Sequence, residues 1–147
     1  MSAPVAATMT ETASTSAGDR AAVVTVRPEA EVLTRQRLPY FVGICAATAG
    51  ARGLAMHLVV IPPGAASEPH LHRGYETAIY ILEGRVETRY GRRLEHRVVN
   101  VAGDFVYIPA DLPHQAVNLS ATEPARALVA RNDAADREHV DPWQAPV

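Results

Sequence analysis

The sequence predicts an all-β domain, a sandwich or barrel of short antiparallel strands. Three observations carry this expectation. No stretch repeats apolar residues at i, i+3, i+4 and i+7 over helical length. Short β-rich segments recur instead, about eight to twelve residues apart. Gly and Pro separate them, where the chain must bend.

The expected strands, in chain order, are AAVVTVR, YFVGICAA, LAMHLVVI, TAIYILE, RVETRY, LEHRVVNV, DFVYIP, HQAVNL and ARALVAR. TAGARG precedes the third and PPGA follows it, and both tolerate or impose turns. Gly84, Gly91 and Gly103 each end an apolar strand, where positive φ is often needed. RVETRYG alternates cleanly. Val86, Thr88 and Tyr90 share one face, and Arg85, Glu87 and Arg89 share a wet one. TAIYILE is apolar at both parities, which predicts cover on both sides. A partner subunit is the expected second cover, so a homodimer is expected. The last stretch, NDAADREHVDPWQAPV, reads as an irregular tail anchored by Trp143 on the barrel or on the dimer mate.

Composition bounds the class. At 147 residues the chain is expected to form one domain, burying about two-thirds of its unfolded surface without disulfide or structural metal. Cys45 is the single cysteine, so no intrachain disulfide forms; it reads as a small buried residue and fits a reducing cytoplasm. All 14 basic residues are Arg, and the net charge is −2. The arginines of GRVETRYGRRLEHR are interleaved with Glu87 and Glu95, and Glu83 precedes them, which marks a solvated hairpin rather than a nucleic-acid surface. No apolar run reaches the roughly 20 residues that span a membrane. Residues 1–20 lack a basic start and an apolar core; they read as a mobile tail, not a secretory signal, before a domain over residues 21–147. The expected location is the cytoplasm.

The chemistry concentrates in EPHLHRGYETAIYILEG. Residues i and i+2 of a strand share a face, so His70 and His72 present two imidazoles side by side. Facing a barrel interior, such a pair is a candidate site for Zn, Fe, Cu or Ni. His114, after the turn-rich IPADLP, starts a strand that can return to meet them. The face of Glu76 is open, because Gly74 can bend the chain or host a bulge. His57 is a possible substitute donor, though it reads better as a histidine partnered by backbone or a carboxylate. His96 and His139 read as exposed. Tyr75, Tyr80, Tyr107, Gln115 and Met56 are candidates for the cavity wall. No phosphate-binding glycine loop and no Ser- or Cys-centred nucleophile motif is present.

GAASEPHLHRGYETAIYILEG and GDFVYIPADLPHQAVN together resemble the two motifs of the cupin superfamily. Gly64, His70, His72 and Glu76 fit the first, and Gly103, Pro109, His114 and Asn118 fit the second, with Asp111 where Gly is usual. The resemblance implies a cupin-type jelly-roll β-barrel holding one divalent metal ion per subunit, Fe, Zn, Ni, Mn or Cu. It carries over His70, His72 and His114 as metal ligands. Counting forward from His72 makes Glu76 the fourth, while counting back from Gly84 selects Thr77. Glu76 is taken here as ligand, or as general acid/base at the rim of the metal. The implied activity is that of a metal-dependent enzyme on a small apolar or aromatic molecule: a dioxygenase, or a cyclase or isomerase of the kind used in aromatic polyketide cyclisation. The alternative is a non-catalytic cupin that binds a small molecule or metal as a sensor.

Overall fold

The computed structural model describes residues 21–147. The expected mobile tail, residues 1–20, lies outside the described residues. The strands are β1 (Val32–Leu33), β2 (Pro39–Ile44), β3 (Ala55–Ile61), β4 (His70–His72), β5 (Thr77–Glu83), β6 (Arg85–Tyr90), β7 (His96–Val101), β8 (Phe105–Ile108), β9 (His114–Asn118), β10 (Ala125–Arg131) and β11 (Val140–Pro142). One helical turn, α1 (Ala46–Ala49), follows β2, and a short 3-10 helix (Asp136–Glu138) precedes β11. The strands form two antiparallel sheets, ordered β1-β2-β3-β10-β5-β8 and β11-β4-β9-β6-β7.

Period-two alternation sets the facing. In β10, Ala125, Ala127, Val129 and Arg131 are buried, and the residues between them are only half-buried. Register then aligns inward rows across the large sheet. Val129 lies between His57 and Ile79, and Arg131 lies between Ala55 and Thr77. Leu38, Tyr40, Val59, Ile61, Ile81 and Val86 pack around the two core alanines of β10, Ala125 and Ala127. Each large aliphatic side chain buried there contributes about 1.5–3 kcal/mol. Asn118 clips the sheets together. Its Nδ2 donates to the carbonyls of Ile61, Pro62 and Glu123, at 3.0, 3.3 and 2.8 Å.

The structure corrects two strand-level expectations. AAVVTVR forms no strand; Val23 and Val24 are exposed and no ladder runs beside them among the described residues. β propensity without a partner strand does not make a strand. The supposed irregular tail contains the 3-10 helix and β11, which pairs with β4. Trp143 does anchor it, donating from Nε1 to the Arg92 carbonyl at 2.9 Å. Within the single chain β5 is covered on one side, and its outer face, where the sequence predicts a partner subunit, is open. Ala78 and Leu82 are exposed and Tyr80 half-buried on its outer face, beside Phe105 of β8 at 84% exposure.

Gly84 makes the tight β5–β6 turn at φ +90°, and a Cβ there would come within 2.9 Å of the Ala125 Cβ and 3.0 Å of its Cα. Gly103 has φ +97° but open space around it. We predict that Gly84→Ala costs about 2–3 kcal/mol and Gly103→Ala about 1 kcal/mol, because only the first adds a clash to the unfavourable φ. Urea unfolding of the two variants measures the difference; equal losses would refute it.

Candidate metal centre

β4 and β9 are adjacent, and their ladder sets His70 opposite His114. β11 flanks β4 on its other side, with Val140 opposite His72. The pleat turns His70 and His72 to one face. All three histidines are buried. Ring centroids lie 4.9 Å apart for His70 and His72, 4.4 Å for His70 and His114, and 5.2 Å for His72 and His114. One ring nitrogen of each lies within 4.8 Å of the others.

Hydrogen bonds decide which nitrogen is free. His70 Nδ1 donates to the Glu68 carbonyl at 2.7 Å, and His114 Nδ1 to the Leu112 carbonyl at 2.8 Å. Carbonyls only accept, so each Nδ1 carries the proton and each Nε2 keeps a lone pair. His72 Nδ1 meets the Tyr75 hydroxyl at 2.8 Å. That hydroxyl donates to the carbonyls of Asp136 and His139, at 3.1 and 3.2 Å, so its oxygen accepts from Nδ1. His72 Nε2 is then buried with no hydrogen-bond partner. Three neutral imidazoles with anchored Nδ1–H groups and converging lone pairs are the donor set of a transition-metal or zinc site.

Electrostatics agrees. Burial lowers the His70 pKa to about 3, helped by the neighbouring His114. Burial likewise lowers His114 to about 4, against the pull of its bond to Leu112. Burial and then the Arg131 charge push His72 down as well. A second proton is therefore kept off each of the three rings.

Glu76 does not join them. The expectation that it is a ligand or acid/base at the metal is corrected. It is exposed, and its Oε1 accepts from the Tyr107 hydroxyl at 2.6 Å. The next residue, Thr77, takes the inward place and is buried. The one-residue slip reverses the facing. The ladder irregularity in this strand falls opposite Arg126 and Ala127, at its far end, and so cannot turn Glu76 inward.

Beside the histidines sits a polar cluster. Arg131 donates from Nε to Thr77 Oγ1 (3.2 Å), from Nη1 to Asp136 Oδ2 (2.9 Å) and from Nη2 to the Tyr40 hydroxyl (3.3 Å). Burial opposes its charge, but Tyr40 and Asp136 raise its pKa. Burial alone would raise the Asp136 carboxyl; the bond from His57 and the charge of Arg131 hold it below its usual value. His57 is not a substitute donor. Its Nδ1 accepts from the Gly43 N–H at 3.1 Å, so Nε2 carries the proton and donates to Asp136 Oδ1 at 3.0 Å.

His70, His114 and Arg131 line an interior cavity whose other walls include Tyr40, Ile79, Val106 and Val129. Tyr75, Tyr80, Tyr107, Gln115 and Met56 do not line it, which corrects the expected wall. Tyr75 is buried behind His72, and Tyr80, Tyr107 and Met56 point outward from their sheet, while Gln115 bonds the Ser67 carbonyl. His96 and His139 are exposed, as expected. Arg131, Asp136 and Tyr40 were not anticipated. One signal was available: Arg131 continues the inward parity of Ala125, Ala127 and Val129, and a charge on an apolar parity marks a buried, paired cation.

A family model described as "Cupin domain" matches residues 57–131, and the chain belongs to that family. No curated protein matches the chain significantly. Among solved structures, the polyketide cyclase RemF from Streptomyces resistomycificus is 21% identical, with 86% of this chain and 87% of that one covered and a TM-score of 0.64. A cupin 2 conserved barrel domain protein from Salinispora arenicola is 27% identical, covering 80% and 95%, with a TM-score of 0.62. A sugar phosphate isomerase, so described as putative, from Acidithiobacillus ferrooxidans is 26% identical, covering 72% and 67%, with a TM-score of 0.57. Among the described residues no helix is long and apolar enough to cross a membrane.

A pH dependence follows for the chelator-treated protein. An unfolded histidine takes a proton below about 6.5, whereas folded His70 and His114 do so only near 3 and 4. Between these values the unfolded chain binds more protons, so the stability contribution is full above about pH 6.5 and is lost as pH falls towards 4. We predict a Tm that drops steadily from about pH 7 to about pH 4.5, and a shallower drop in His114→Leu. Circular dichroism melts at several pH values check this; identical slopes would contradict it.

Proposed function

We propose that residues 21–147 form a metal-dependent cupin enzyme acting on a small apolar or aromatic molecule, by metal-assisted cyclisation or isomerisation. The carrying observation is the convergence of three buried imidazoles whose Nδ1–H groups are all anchored and whose Nε2 lone pairs face one another. His70, His72 and His114 would hold one divalent ion, Fe, Zn, Ni, Mn or Cu. Bound there, such an ion supplies Lewis-acid polarisation of a substrate oxygen. The chain's own part is to bind and orient. The aliphatic walls exclude water, and Arg131, its charge paired with Asp136, presents N–H donors to the cavity. The cyclase likeness extends over nearly the whole length of both chains, which supports this reading over dioxygenation. We also propose a cytoplasmic homodimer, the exposed apolar strip of Leu82, Phe105 and Met56 on the outer sheet face being its contact.

Elemental analysis of tag-free protein tests the metal. We expect about one ion per chain, loss of most of it in His72→Ala, and affinity lowered about 10–100-fold in Tyr75→Phe, where the anchor of His72 Nδ1 is gone. Full metal content in His72→Ala would refute the site. Ring closure of a β-polyketone probe, followed by absorbance beside an oxygen electrode, separates the chemistries. Closure without oxygen uptake supports cyclisation, stoichiometric oxygen uptake favours dioxygenation, and a metal-loaded protein that binds the probe unchanged makes it a binding module.

A further inference from the structure

Charge bookkeeping around the three histidines points to the substrate class. Neutral imidazoles bring no charge to a cation they hold. The inward position at the start of β5 is held by neutral Thr77, bonded to Arg131, and Glu76 is on the outside, bonded to Tyr107. No Asp or Glu lines the cavity that His70 and His114 share. The acid bonded to the cavity-lining Arg131, Asp136, is already spent, with Oδ2 on Arg131 and Oδ1 on His57. It cancels the guanidinium charge, so a divalent cation at the histidines keeps its own. An uncompensated dication against Ile79, Val106 and Val129 is costly until an anion joins it.

The cavity edge also offers donors. A guanidinium carries five N–H groups. Arg131 spends three on Thr77, Asp136 and Tyr40, and no partner is recorded for the other two among the described residues. The Tyr40 oxygen accepts from both Gln36 Nε2 and Arg131 Nη2, which leaves its own hydroxyl proton to donate. Gln36, Tyr40 and Arg131 are all buried and all line the cavity.

We propose that this cavity binds its substrate as an oxygen anion on an apolar body, with the charge placed between the histidines and the Arg131–Tyr40 pair. A carboxylate, a phenolate and an enolate share that chemistry. The proposal rests on the metal reading above and deepens it by naming the ligand class. The corollary is that neutral Thr77, through its bond to Arg131 Nε, leaves the remaining guanidinium N–H groups open to an anion, and a glutamate in its place would compete for them.

The test uses the full chain loaded with cobalt, with ligand binding read from the visible bands of the ion and by calorimetry. Benzoate is compared with benzamide, and 4-nitrophenolate with 4-nitroanisole. At least one anion is expected to bind tenfold or more tightly than its neutral counterpart, and the preferred pair distinguishes a carboxylate substrate from a phenolate or enolate. Thr77→Glu is expected to keep cobalt and to weaken the preferred anion at least tenfold. Cobalt uptake with equal binding of charged and neutral probes overturns this proposal and leaves the metal reading standing. A folded Thr77→Glu that binds anions as the wild type does overturns it as well. If Thr77→Glu does not fold, the wild-type comparison still decides. Failure of the wild type to take up cobalt overturns both readings.

Discussion

The pairing of β4 is the constraint on which the centre depends. This strand has only three residues, too few to hold itself in place. It is wedged between β9 and β11, and one ladder position brings His70 to His114. Around that contact every ring is fixed a second time through its Nδ1 proton. The acceptors are two carbonyls a short way back along the chain and a tyrosine hydroxyl. Ring direction and tautomer are thus set before any ion arrives, so little ordering entropy remains to be lost on binding.

A second buried assembly supports the first. Asp136 receives His57 and Arg131 on separate oxygens, and its carbonyl receives Tyr75, which in turn takes the His72 proton. One short helical turn therefore ties β3, β10 and the histidine strand together. Such a network is favourable only when every member is satisfied, because an unpaired buried charge costs several kcal/mol. Gly43 belongs to it as well. Its N–H fixes the His57 tautomer, and a Cβ there would clash with the Met56 carbonyl oxygen.

Much of the fold was legible in the sequence. TAIYILE, RVETRY and ARALVAR are β5, β6 and β10 to the residue, because alternation and Gly84 punctuate them. The three histidines were legible from the i, i+2 rule and the second motif. Glu76 was misread, since two counts differed by one residue and one residue is a whole face of a strand. The roles of Asp136 and Tyr75 were not legible at all. Asp136 meets His57 across 79 positions, and Tyr75 meets the Asp136 carbonyl across 61. No local pattern encodes such a contact.

The distribution of these parts along the chain has a consequence for biosynthesis. β4 emerges near the middle, yet Tyr75 acquires its carbonyl partners, and β4 its outer neighbour, only from residues 136–142. A nascent chain on the ribosome therefore carries the three imidazoles for some time without the strap that orders them. The final donor geometry around His72 is complete only once residues 136–142 have been made and docked.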